Sequence, residues 1–304
     1  MMNVTIRKYD ISDAESIVNM INRDEYNLQK GMTIQEFERY LDDPGARSRD
    51  HTFVAVSYEQ IIGYISLCFV ETANGSKVDS FVAIEADWHG KGIGTILIQF
   101  ILEHLKECAG KENSMLNFVL RVDSRADEML ETALLHDMQK RHVVLLLSNK
   151  ELTSPNITHL MNGCYISSPT IKDAAAWAAI YNDAFNGKKT AESVVHEFNS
   201  SEFNSELYVL ACNMKGEPVA FISAKLVGEV GQIPTLAVRR DAQSQGIGTY
   251  LLLEIIDRLQ MAGAKEVTLS VSSTNTKAIN LYEKNGFTPY AKRSYYFKKI
   301  SAND

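Results

Sequence analysis

The chain repeats itself. IRKYDISDAESIVNMIN, which begins at residue 6, returns as ISSPTIKDAAAWAAIYN at residue 166. FVAIEADWHGKGIGT at 81 returns as TLAVRRDAQSQGIGT at 235, and LRVDSRADEMLETALLHDM at 120 returns as LSVSSTNTKAINLYEKNGF at 269. The offsets of 160, 154 and 149 residues drift as loop insertions and deletions would make them, while the order of segments holds. A duplicated unit restricts the fold more than any local propensity does. With 304 residues, each copy is long enough to bury a core of its own. The sequence predicts two domains, 1–150 and 164–304, joined through the polar, turn-forming stretch SNKELTSPNITHLMNG at 148–163.

Both copies carry the same succession of patterns. An opening strand leads to an amphipathic helix, with Asp13 or Asp173 placed near its start as a cap. A second helix follows in TIQEFERYLDD and in TAESVVHEFNS. HTFVAVSYEQIIGYISLCFV and ELYVLACNMKGEPVAFISAKLV read as hairpins, the second turning at Lys215-Gly216. SFVAIEA and PTLAVRR are short, nearly continuous apolar runs, as in strands buried on both faces. A glycine loop and a long helix come next, then a strand (NFVLRV, EVTLSV), a last helix and closing strands. The predicted fold class is α/β, a mixed sheet flanked by helices, twice over. In the second long helix Ile247, Leu251, Leu252, Ile255, Ile256 and Leu259 share one face and read as core.

Composition narrows the partners. Hydrophobic residues make up 45% and charged residues 23%, the balance of an ordinary globular protein. A net charge of −7 without a dense basic run argues against a groove that tracks nucleic-acid phosphates. No apolar run approaches the roughly 20 residues that span a bilayer, and MMNVTIRKYD has no signal core, so the cytoplasm is the expected location. Cys68, Cys108, Cys164 and Cys212 are scattered and read as free thiols. The seven histidines show no ligand spacing, so no metal is expected.

The glycine loops carry the chemistry. A strand that ends in Gly-x-Gly and runs into a helix leaves the first amides of that helix free, and the missing Cβ atoms let an anion reach them. The nucleotide-triphosphate loop needs G-x-x-x-x-G-K-[ST], which neither copy has. The dinucleotide fingerprint fails as well, because Leu97 and Leu251 stand where its third glycine belongs. What matches is Q-x-x-G-x-G, as Gln243-Ser244-Gln245-Gly246-Ile247-Gly248, with Asn275…Leu281-Tyr282…Gly286-Phe287 one strand later.

With these two segments the sequence resembles the GNAT (GCN5-related N-acetyltransferase) family, over essentially the whole chain, twice. The resemblance implies central strands that splay apart, with the pantetheine arm of coenzyme A in the opening and its pyrophosphate on the glycine loop. It implies direct transfer of an acetyl group from acetyl-CoA to an amine of a small molecule or peptide. No covalent enzyme intermediate is needed, which suits a sequence in which no Cys-His or Ser-His arrangement is visible. By carry-over, the amides of Gln243, Ser244, Gln245, Gly246, Ile247, Gly248 and Thr249 hold the pyrophosphate. The backbone of Leu236, Ala237 and Val238 positions the thioester. Tyr282 is the general acid that protonates the leaving thiolate, and Asn275 is either a pantetheine contact or a plain helix cap. Where some relatives carry a glutamate base this chain has Gln232, which leaves the nearby Glu229 as candidate base or as a solvated loop carboxylate.

The N-terminal copy departs from the pattern. His89 replaces the glutamine, and Ala126, Ala133 and Asp137 align with Asn275, Tyr282 and Gly286, so the general acid is gone. The loop itself persists after Ile84, with His89, Gly90, Lys91, Gly92, Ile93, Gly94 and Thr95 as a second candidate seat for coenzyme A. Two readings of this copy stay open: a second CoA-binding domain, or a degenerate half that shapes the acceptor pocket. For the whole chain the rival reading is a non-catalytic CoA-binding or sensing protein. Monomer and homodimer are both open.

Overall fold

The computed structural model describes residues 3–24, 26, 31–43, 46–72, 75–152, 163–200 and 203–302. In chain order the first copy comprises β1 (Thr5–Lys8), α1 (Ala14–Arg23), α2 (Ile34–Leu41), β2 (Thr52–Ser57), β3 (Gln60–Thr72), β4 (Gly75–Ile84), α3 (Ile93–Glu112), β5 (Leu116–Asp123), α4 (Asp127–Leu135) and β6 (Gln139–Asn149). The second comprises β7 (Cys164–Ser167), α5 (Ala174–Phe185), α6 (Ala191–Phe198), β8 (Tyr208–Asn213), β9 (Pro218–Val227), β10 (Val230–Val238), α7 (Ile247–Met261), β11 (Glu266–Ser272), α8 (Thr276–Lys284) and β12 (Thr288–Ile300). The duplication is thus element for element. No helix among the described residues is long and apolar enough to cross a membrane.

The chain forms two compact units: residues 1–144 together with 291–304, and residues 145–290. The first has strand order β1-β2-β3-β4-β5-β12; the second has β7-β8-β9-β10-β11 followed by the end of β6. The boundaries 150 and 164 assign β12 to the second copy, whereas its residues Arg293–Ile300 pair antiparallel with β5 in the first unit. The end of β6 belongs to the second unit, where Ser148 Oγ donates to Glu266 Oε1 at 2.5 Å and Asn149 Nδ2 donates to the Asn285 carbonyl at 2.9 Å. Residues 153–162 of the expected linker lie outside the described residues.

Local chemistry explains the helix starts. Asp13 and Asp173 are the acidic members of reciprocal capping boxes whose first members are Asp10 and Thr170: the Asp10 and Thr170 amides donate to them at 2.9 and 2.8 Å. Asp13 also receives both terminal nitrogens of Arg7 at 2.6 and 2.8 Å, and this hydrogen-bonded guanidinium holds its carboxyl below the usual carboxylate range. Thr33 and Thr190 cap α2 and α6. In each unit the long helix packs its apolar face on the sheet. Ile247, Leu251, Leu252, Ile255, Ile256 and Leu259 are all buried, as their spacing predicts.

The strands run longer than their apolar cores. β4 begins at Gly75 and β10 at Val230, ahead of SFVAIEA and PTLAVRR, and each forms a hairpin with the strand before it. The added residues alternate or are polar, so they carry no continuous apolar signal.

Candidate active site

The central parallel strands part at the same place in both units. β4 pairs with β5 from Ser76↔Leu116 to Asp79↔Val119, and β10 with β11 from Val230↔Glu266 to Ile233↔Leu269. Beyond the fourth pair no ladder joins them, which leaves a backbone edge of β4 or β10 unpaired.

In the second unit that edge is reshaped. The β9–β10 ladder slips between Gln232↔Lys225 and Thr235↔Ser223, so three steps on β10 face two on β9. Pro234, with no N–H to give a ladder, sits in this bulge. A bulge turns backbone groups out of the sheet just before Leu236, Ala237 and Val238. Their side chains serve the core: Ala237 is 1% exposed in a cluster with Trp177 and Phe221, and Leu236 and Val238 pack against the other face's core. Only their backbone is left to meet a guest. The first unit has no such slip; β3 and β4 pair without interruption from Gly63↔Ile84 to Thr72↔Gly75.

The loop after β10 is built to present amides. Gln243 Nε2 donates to the Val238 carbonyl at 3.1 Å and ties the loop to the strand end. Ser244 and Gly246 adopt φ of 63° and 84°, a left-handed pair that turns the chain into α7. The first intrahelical bond runs from the Tyr250 amide to the Gly246 carbonyl. The amides of Gly246, Ile247, Gly248 and Thr249 have no acceptor among the described residues. A Cβ on Gly248 would meet only Leu281 Cδ2 at 3.6 Å and Val238 Cγ2 at 3.8 Å, so nothing in the protein's own packing requires a glycine there.

Tyr282 lies on α8. Its ring is buried edge-on to Phe287, and burial pushes its hydroxyl up to about 12. That hydroxyl makes no hydrogen bond to a described residue. Asn275 is a true N-cap, its side chain accepting from the Ala278 amide at 3.1 Å. Glu229 is not brought to this group. It sits in the β9–β10 turn, ion-paired to Lys265 Nζ at 2.5 Å, and β10 separates it from Val238 by nine residues, roughly 30 Å of extended strand. Replacing Glu229 by Gln should therefore change the rate of any amine acetylation by less than about twofold; a loss of tenfold or more in initial rate would restore it as base.

The first unit repeats the scaffold and fills it differently. His89 Nε2 lies 2.9 Å from the Ile84 carbonyl, doing for this loop what Gln243 does for the other. Gly90 and Gly92 take φ of 70° and 81°. Here the helix-mouth amides have a partner: Glu128 Oε2 accepts from the Gly90 amide at 2.7 Å and Oε1 from the Gly94 amide at 2.9 Å. Lys91 is drawn over the Trp88 ring at 5.2 Å. A Cβ on Gly94 would stand 2.6 Å from Met129 Sδ, so that side chain would have to shift to admit one. Thr95 Oγ1 meets Thr132 Oγ1 at 2.7 Å, and Ile93 and Ala133 are fully buried. Glu128 aligns with the exposed Lys277 of the second unit, a reversal of charge that motif matching passes over because neither position belongs to the motif.

One arrangement was missed from the sequence. Cys108 Sγ lies 3.7 Å from His104 Nε2, whose ring is 2.8 Å from His51 Nδ1, so a Cys-His cluster does exist in the first unit. Burial lowers both histidines, His51 to about 4, and raises the Cys108 thiol. The cluster is therefore neutral and the thiol a poor nucleophile. The Arg47 guanidinium, 3.5 Å from His51 Nε2, opposes a bound cation. All four cysteines are free.

Two α/β units with splayed parallel strands, each opening onto a glycine-led helix, define an acyltransferase-type scaffold present in duplicate. The Acetyltransferase (GNAT) family model matches residues 15–131 and again 174–287, and the chain belongs to that family. Mycothiol acetyltransferase of Clavibacter michiganensis is 30% identical over 130 residues, which is 41% of this chain and 42% of that protein. The [ribosomal protein bS18]-alanine N-acetyltransferase of Escherichia coli is 37% identical over 82 residues, 27% of this chain and 55% of that one. The matches thus span about half the length of these curated relatives. Among solved structures, a GCN5-related N-acetyltransferase from Sphaerobacter thermophilus superposes with a TM-score of 0.76 at 18% identity, covering 98% of this chain and 96% of its own. A tandem GNAT protein from the clavulanic acid biosynthesis pathway gives 0.74 at 13% identity, with 98% of both chains covered. These two show that the whole tandem fold is shared.

Proposed function

We propose that the protein is an N-acetyltransferase that uses acetyl-CoA and works through its second unit alone. The observation that carries this reading is the contrast at the two helix mouths. The amides of Gly246 to Thr249 lack an acceptor among the described residues, while their counterparts at Gly90 and Gly94 are engaged by Glu128. The residues of the second unit fit the cofactor: a helix mouth with glycines at 246 and 248 for its diphosphate, and an unpaired, bulged strand edge for its extended arm. Acetyl-CoA supplies an activated acetyl thioester.

The chain's own groups then have separable tasks. The amides of Gln245 to Thr249 bind the diphosphate. The backbone of Leu236 to Val238 orients the thioester. Asn275 fixes the start of α8 and thereby the position of Tyr282. Tyr282 remains protonated at every physiological pH because burial disfavours its phenolate, and it gives its proton to the departing sulfur as the carbon–sulfur bond breaks. With Glu229 held at the far end of β10, the acceptor amine delivers its proton to solvent. The acid limb of the pH profile then follows the amine's own pKa, and no basic limb from Tyr282 is expected below about pH 11.

The two curated relatives are named for mycothiol and for the alanine of a ribosomal protein, so the acceptor panel should hold small primary amines and peptides that begin with alanine. Release of free thiol from acetyl-CoA in the presence of one panel member is the expected result. Coenzyme A bound with no thiol release from any amine would leave a binding or sensing protein instead. Calorimetric titration should saturate at one coenzyme A per chain; two equivalents would contradict the assignment of a single working unit.

A further inference from the structure

The first unit contains a cavity of about 270 Å³, roughly nine waters' worth of space, where β4 and β5 part. Its walls are Ser80 to Ile84 of β4, Arg121 and Asp123 of β5, and Tyr64 of β3. Glu128 closes one end against the glycine loop. A diphosphate arriving there would meet a carboxylate already on the amides, so the cleft is shut to the guest its fold resembles a seat for.

Three guanidiniums face the cavity, and two are spent. Arg125 grips both oxygens of Asp123, through Nε at 2.8 Å and Nη2 at 2.9 Å. Arg293 donates to the Tyr26 carbonyl at 2.7 Å. Arg121 is different. Its guanidinium carbon stands 4.1 Å from the Phe81 ring centroid. Its nearest acid, Asp79 Oδ1, is 3.8 Å away, beyond a hydrogen bond, and Asp79 is already paired to Lys77 Nζ at 2.8 Å. Arg121 Nε is buried without a hydrogen-bond partner, as is Asp79 Oδ1. The protein thus holds a cation over an aromatic ring at the cavity wall, with its Nε unpaired and only a loose ion pair to Asp79. Such a fork suits the two oxygens of a carboxylate.

We infer that this cavity is a binding site for a small organic monocarboxylate, its carboxylate on Arg121 and its apolar body against Phe81, Ala83 and Tyr64. The apolar wall calls for an organic body, which inorganic phosphate lacks. This site is independent of the acetyl-transfer reading, because it involves no residue of the second unit.

The test uses the full chain and calorimetry with propionate, benzoate, phenylacetate and 4-hydroxyphenylacetate. Benzamide serves as the neutral isostere and inorganic phosphate as the simple anion. At least one monocarboxylate should bind saturably below 1 millimolar on the scale of small-ligand affinities, roughly −4 kcal/mol or better. The affinity should fall at least tenfold for the isostere and for Arg121→Gln, with Arg121→Lys between them. Coenzyme A titration of Arg121→Gln should match the parent, which separates this site from the second unit's. If Arg121→Gln fails to fold, the comparison of acid with isostere on the parent protein decides. No saturable binding by any of the acids at 10 times that concentration, equal binding of benzoate and benzamide, or phosphate binding as tight as the acids' would each overturn the proposal.

Discussion

Tyr282→Phe should lower kcat by a factor of about 10² to 10⁴, the span that general acid catalysis ordinarily contributes, while the affinity for coenzyme A stays within about twofold. The substitution removes one oxygen from a ring that is otherwise buried against Phe287 in the second unit's core. Because the hydroxyl donates to no described residue, its loss leaves no orphaned partner, and stability should change little. The measurement is thiol release at saturating amine, followed from pH 6 to 10. A variant that turned over at the parental rate would remove the phenol from the mechanism. Loss of coenzyme A binding together with turnover would recast Tyr282 as a packing residue.

Gly246→Val should have the second large effect, on cofactor affinity. Gly246 caps α7 at φ 84°, and a β-branched residue is strained in that region by about 1–3 kcal/mol. The loop can relieve the strain only by turning away the amides that converge over the helix mouth. Calorimetry should show coenzyme A binding weakened by about 100-fold, with the melting temperature a few degrees lower. Gly248→Ala is the informative neighbour. The added methyl meets only ordinary van der Waals contacts at 3.6 and 3.8 Å, so the fold should tolerate it while affinity still falls. Parental affinity in both variants would mean that the diphosphate rests elsewhere.

Much of the second unit was legible in its residues. The order of elements, the turn at Gly246, the buried face of α7 and the capped start of α8 follow from spacing and residue type, which act over a few residues. The alignment of the copies even held at Asp137, which takes the positive φ of 54° that its counterpart Gly286 takes at 84°. Glu229 lies in the β9–β10 turn, at the far end of β10 from Val238. Closeness in sequence to β10 does not put a side chain at the cleft, because an extended strand carries its two ends far apart.

The sequence by itself determined that there are two copies, what each is made of, and where the glycine turns lie, because duplication, periodicity and glycine placement are local or self-comparing signals. Only the tertiary structure decided which turn is free. Glu128 reaches Gly90 and Gly94 across 38 and 34 residues, and no pattern within either segment announces that meeting. It also decided where the last strand goes. β12 joins β5 and the end of β6 joins the second unit. The bulge at Pro234, the unpaired Nε of Arg121 and the cavity beside it depend likewise on how distant strands register, which is fixed by packing the whole unit at once.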